Sequence, residues 1–228
     1  MKRIVLWLIF LCALGVYAQR PQELKQSDSK YLEDQFYLGI TYNFLLDKPT
    51  DFTQRNLSYG LQGGIIKDIP LNSTRTFALG VGLGYAVNSY YSNMLASESL
   101  DGVLYEKTTE AANVKRSKIE NHLVEFPVEF RWRDATPEEY KFWRVYTGIK
   151  LGYVFGSRSK LVTEADKTSF INPDIRKLQY GLMFNFGYNT FNVHIYYSLN
   201  NLFEDGVIFE EEDLKLKPLR VGLIFYIL

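Results

Sequence analysis

From Gln35 onward the sequence alternates with period two, and that alternation limits the fold more than any other feature. In the segment 217–228, Leu219, Val221, Leu223, Phe225 and Ile227 fall on one face. Arg220, Gly222, Ile224, Tyr226 and Leu228 fall on the other. Such a pattern marks a strand lying between two unlike environments. Seven further segments read the same way, at 35–46, 57–66, 77–91, 118–132, 143–156, 177–188 and 191–199. The count is therefore eight, and the connections between segments alternate long and short, beginning and ending long. An even strand number with short turns at one end and longer loops at the other is the sequence signature of an outer-membrane barrel. The expected fold is all-β: an eight-stranded antiparallel up-and-down transmembrane β-barrel. Its last segment pairs with its first to remove the open edge. Both termini are expected in the periplasm.

Alternation does not say which face is outside. A soluble carrier barrel of the lipocalin type also has eight strands, with its apolar face inward. The second face decides between them. Gly80, Gly82, Gly84, Gly148, Gly152, Gly181 and Gly222 would make a poor solvated exterior. They suit the inside of an eight-stranded barrel, where room for side chains is scarce. The opposite face is a continuous surface of Leu, Val, Ile and Phe, as lipid contact requires. Mean hydropathy is −0.16, too low for a bundle of membrane helices but compatible with a membrane barrel, where only alternate residues meet lipid. Formal net charge is zero, which gives no reason to expect nucleic acid as a partner.

Ahead of the barrel, residues 1–18 read as a signal peptide, with Lys2 and Arg3 before an apolar run and cleavage before Gln19. Residues 19–34 form a polar segment expected in the periplasm, and 35–228 form the barrel. The single cysteine, Cys12, lies in the leader. The mature chain is therefore expected to have neither disulfide nor thiolate chemistry.

The polar members of the inner face are Glu125, Glu129, Arg131, Arg144, Lys150, Gln179, His194 and Arg220. They could line an ion or solute pathway. In so narrow a barrel the expectation is instead a packed polar plug, because unpaired buried charges are costly. Charges on the fourth and fifth segments should pair. Trp132 and Trp143 flank one short turn and are expected in the periplasmic aromatic girdle. A lipid-modifying site would have to use His122 or His194, with Ser89 or Ser92 near the height of His122. Neither histidine has a nucleophile motif beside it. Glu210, Glu211, Glu212 and Asp213 lack calcium-loop spacing and read as a solvated loop face. No phosphate-cradling, zinc or nucleophile-elbow motif is present. No cofactor or metal is expected.

Three stretches, at 60–71, 78–85 and 146–155, together with the leader and eight strands, resemble the PorT-like outer-membrane β-barrel family of Bacteroidota. The resemblance covers nearly the whole mature chain through diffuse strand patterns. It implies a non-enzymatic structural or accessory barrel, with type IX protein secretion or envelope integrity as its setting and no catalytic residues to transfer. A narrow channel or a lipid-modifying barrel is the alternative. The segment 220–227, with Gly222, Phe225 and Ile227, resembles the C-terminal signal that barrel-assembly machinery reads, although the chain closes on Leu228 rather than an aromatic residue. Expected partners are that machinery, outer-membrane lipids and lipopolysaccharide, and secretion-apparatus proteins.

Overall fold

The computed structural model describes residues 34–55, 57–100, 102–108, 113–134 and 143–227. Residues 1–33, where a leader and most of a polar segment are expected, lie outside these residues. The strands are β1 (Asp34–Leu46), β2 (Tyr59–Pro70), β3 (Phe77–Ser92), β4 (Met94–Ser99), β5 (Gly102–Lys107), β6 (Val114–Arg133) and β7 (Trp143–Thr163). Six more follow: β8 (Lys167–Ile171), β9 (Leu178–Tyr188), β10 (Phe191–Ser198), β11 (Ile208–Phe209), β12 (Glu212–Asp213) and β13 (Lys217–Ile227). Eight of them close a barrel in the order β6-β3-β2-β1-β13-β10-β9-β7, with β7 pairing back to β6. All barrel pairings are antiparallel. The first and last strands pair from Phe36↔Ile227 to Leu46↔Lys217, so no edge is left open.

The side-chain distribution is inverted relative to a soluble barrel. On β9, Leu182 is 50 % and Phe184 42 % exposed, while Asn185 between its neighbours is 0 % exposed. The same alternation runs round the wall. Phe36, Leu61, Leu83, Phe126, Ile149, Val193 and Leu223 point outward. Asn43, Glu129, Arg131 and Arg144 point inward. An apolar exterior over a polar interior is stable only where the surrounding medium is hydrocarbon.

Two aromatic groups bound that exterior. Near the short turns, Trp143 stacks on Phe186 at 5.3 Å, with Trp132 on the adjacent strand. Near the loops, Tyr85, His122 and Phe155 stand 6.1–6.2 Å apart, centroid to centroid. On β6, His122 and Trp132 are ten residues apart. At a rise of about 3.3 Å per residue and a tilt of about 40°, the band between them is roughly 25 Å tall, the height of a membrane barrel's apolar belt.

Glycines let the lumen fill. A Cβ on Gly84 would collide with the Tyr37 hydroxyl, and one on Gly80 would sit 2.6 Å from Arg131 Nε. At the turn end, β9 and β10 are joined by Asn189 and Thr190 alone. Asn189 takes φ 55°, a left-handed conformation that asparagine tolerates better than most residues.

The structure corrects the loops. Residues 92–117 are expected as a polar connection, yet they carry the β4–β5 hairpin and the first residues of a lengthened β6, from Val114. Residues 157–175 are expected as a loop, yet β7 continues to Thr163 and pairs with β6 and β8. A β-bulge opposite His122 and Leu123 shifts the phase of β7. Val154 faces inward before it and Ser157 after it, so the period-two pattern breaks at Gly156 although the strand does not.

Candidate functional site

The lumen holds two charge clusters at different heights. In the middle of the barrel, Glu125 on β6 accepts a hydrogen bond from Arg220 of β13 at 3.1 Å and forms an ion pair with Lys150 of β7, also at 3.1 Å. β13 lies four places from β6 in the eight-strand ring, so the Glu125–Arg220 pair crosses the full width of the lumen. Lys150 also donates to Gln62 at 2.6 Å, and the Arg220 guanidinium lies 4.5 Å over the Tyr196 ring.

Nearer the turns, Arg131 donates to Glu129 at 2.7 Å, to Gln35 at 3.1 Å and to Asp68. Arg133 donates to the other Asp68 oxygen at 2.8 Å. The Arg131 guanidinium also lies 4.4 Å over the Tyr146 ring and 5.2 Å over Tyr226. Arg144 enters the same cluster 6.0 Å over Tyr226. His194 shares a 2.5 Å hydrogen bond with Asn185, which donates to Tyr226 at 3.1 Å. These groups have almost no contact with solvent. Glu129 and Arg131 are 0 % exposed, His194 1 %, Lys150 3 % and Arg220 4 %. Buried charges persist at that depth only when paired and hydrogen-bonded.

The expected inner polar residues thus lie together in the lumen, but the set is incomplete. Asp68, two residues beyond the 57–66 segment read from the sequence, is 1 % exposed and holds both Arg131 and Arg133. The parity of Gly60, Gln62 and Gly64 continues through Ile66 to Asp68 and would have placed it inside. Arg133 likewise follows the parity of Glu129 and Arg131.

Over the loop end sits a folded cap that the sequence pattern does not announce. Phe52 of the β1–β2 connection, Met94 and Tyr105 of the β4–β5 hairpin, and Leu202, Phe203 and Phe209 of the β10–β13 connection gather with Leu45, Tyr90, Leu123 and Val154 of the barrel mouth. Phe203 and Phe209 are 0 % exposed. Tyr105 donates to Asn172 at 3.0 Å and to Asp174 at 2.9 Å. Burial pushes its phenol up, so it remains a donor across the neutral range. The loop carboxylates brace the cap. Glu210 accepts from the Lys107 N–H at 2.6 Å, and Glu212 accepts from the Thr50 N–H at 3.1 Å. These contacts join residues far apart in sequence, so no local pattern could have shown them.

His122 faces outward and shares a 2.6 Å hydrogen bond with the Tyr85 hydroxyl. Ser89 bonds instead to Glu120 at 3.4 Å, and Ser92 accepts from the Met94 N–H at 3.3 Å. The histidine and the two serines are not joined. Trp132 and Trp143 both lie on the outer face beside the short turn, 36 % and 48 % exposed. Gly222, Phe225 and Ile227 lie on the closing strand, opposite Thr41, Leu38 and Phe36.

Among solved structures, the attachment invasion locus protein Ail of Yersinia pestis matches at 12 % identity and a TM-score of 0.35, over 85 % of this chain and 97 % of that one. A mutant porin of Rhodopseudomonas blastica matches at 9 % identity and a TM-score of 0.22, over 85 % of this chain and 99 % of that one. No curated protein matches. The profile of the outer membrane protein beta-barrel domain family matches residues 17–204, most of the chain. The chain belongs to that family and is an outer-membrane β-barrel protein.

Proposed function

We propose that this protein is a closed, non-enzymatic barrel with a structural or accessory role in the outer membrane, and that its working surface is the cap rather than the lumen. The observation that carries this reading is the Glu125–Arg220 pair, which spans the ring from wall to wall beneath a loop-end apolar plug. A solute would have to break it and leave the buried Arg220 without its carboxylate. The cap faces the cell exterior and the short turns face the periplasm. Barrel-assembly machinery reads the closing strand. The PorT-like resemblance supports secretion-apparatus proteins as the partners that the barrel assists.

Planar-bilayer recording tests the closed lumen. The expected result is no sustained open current, and steady unit conductance would refute it. Orientation is tested by Ser99→Cys at the tip of the β4–β5 hairpin, labelled in intact cells with a membrane-impermeant maleimide. Affinity purification after mild crosslinking tests the accessory role. Recovery of secretion components supports it, whereas their absence together with altered solute permeability in a deletion strain favours a transport role.

A further inference from the structure

Just above the lipid-facing belt, β7 changes partner. Through Tyr153 it pairs with β9, and from Arg158 it pairs with β8. Two backbone bonds frame the exchange, from the Val154 N–H to the Lys177 carbonyl at 2.7 Å and from the Asn172 N–H to the Ser157 carbonyl at 3.1 Å. Between them residues 173–176 arch away from β7, because Ile175 turns inward to bridge Phe203 beneath the cap. The β-bulge at this level swings Phe155 outward on the opposite side of the gap.

The result is a groove of about 480 Å³ walled by His122, Phe155, Arg158, Ile171, Pro173 and Lys177. Its two halves differ chemically. Phe155 is 59 % and Ile171 72 % exposed, and both continue the outward apolar surface of the barrel. Arg158 and Lys177 are exposed cations at the rim, and neither has an ion-pair partner among the described residues. Glu120, whose carboxylate lies 3.8 Å from His122 Nε2, is already held by Lys118 and by Lys160 at 2.8 Å. Local positive charge at the groove is therefore not cancelled.

An apolar trough opening onto hydrocarbon, with two available cations at headgroup height, complements an amphiphile bearing phosphate on an acylated head. We propose that the groove binds one molecule of lipid A, with an acyl chain along Phe155 and Ile171 and a phosphate between Arg158 and Lys177. The identity of the lipid rests on the outward orientation of the cap, since lipid A belongs to the outer leaflet.

Native mass spectrometry of the detergent-purified protein mixed with lipid A tests the proposal. The wild-type barrel should retain a one-to-one adduct, and should retain dephosphorylated lipid A or phosphatidylglycerol far less well. Arg158→Ala/Lys177→Ala should weaken retention about tenfold or more, with heat-modifiable gel migration unchanged as the check on folding. Equal retention by a folded double variant, or equal retention of phosphatidylglycerol by the wild type, overturns the proposal. Labelling of Ser99→Cys separates the two ways of failing. Labelled cells with no lipid A preference overturn the groove alone. Unlabelled cells overturn the orientation and, with it, lipid A as the occupant.

Discussion

Replacing Glu125 by alanine removes a carboxylate that faces both Lys150 and Arg220. Both cations are nearly inaccessible to water, at 3 % and 4 % exposure. Breaking a buried pair by removing one partner costs about 3–5 kcal/mol, because the remaining charge stays desolvated. Two charges are stranded here, but each keeps a secondary partner. Lys150 retains Gln62 at 2.6 Å, and Arg220 retains the Tyr196 ring at 4.5 Å, a contact worth up to ~2 kcal/mol when dry. The expected loss therefore stays near ~3–5 kcal/mol rather than doubling. Lys150→Met should cost less, about 1–3 kcal/mol, since Glu125 keeps Arg220. The two substitutions share a partner and should be non-additive by ~0.5–3 kcal/mol. Reversible urea unfolding in lipid vesicles, followed by the fluorescence of Trp132 and Trp143, measures all three. A loss below ~1 kcal/mol for Glu125→Ala would refute the reasoning. It would mean that water reaches the lumen and replaces the carboxylate, as an open barrel allows.

Leu223→Arg places a charge on the lipid face and should destabilise the barrel by about 2–4 kcal/mol near the midplane in the same assay, whereas a neutral result would reverse the two faces. Phe203→Ala should cost ~3–5 kcal/mol of cap stability while the barrel stays intact, seen as faster hydrogen exchange in residues 94–107 and 202–216 with unchanged gel migration. Glu120 lies beyond the apolar belt; burial works to raise its carboxyl, but hydrogen bonds from Lys118 and Lys160 outweigh this and hold it at about 2. Its folded pKa is below the unfolded value of ~4.3, so its stabilising contribution is full above that value and is lost as pH falls toward 2. Hydrogen exchange of the β6–β7 extension should accelerate over that window, and Glu120→Gln should remove the pH dependence.

The wall was readable because period two is a local property. Each strand from β1 to β13 that spans the belt carries its own alternation, and the glycines identified the crowded side. Pairing inside the lumen was only partly readable. The proximity of Glu125 to Lys150 follows from adjacent strands, but its contact with Arg220 depends on ring closure and on side-chain reach across the lumen. Asp68 was lost because Pro70 and Asn72 look like turn residues, although β2 runs through Pro70 before turning. The cap was opaque for a different reason. Phe52, Met94, Tyr105 and Phe203 are single apolar residues or members of very short apolar stretches within polar connections, and each becomes core only when the other loops arrive. The bulge beside Phe155 hid the upper half of β7, since one inserted residue reverses the parity on which the reading depends.

The seam between β1 and β13 also sets the order of events when the barrel forms. Asn189 and Thr190 close one hairpin with a two-residue link. The seam joins Phe36 to Ile227 across nearly the whole domain. Chain closure over ~190 residues costs about 4–5 kcal/mol of entropy by logarithmic scaling, far more than any hairpin. None of it is recovered until the two strands zip together. A sheet lacking that last pairing would expose two bare edges to hydrocarbon, where unpaired backbone groups are prohibitively expensive. Membrane insertion and ring closure are therefore one kinetic step, and a chain halted between them has no stable resting place in the bilayer.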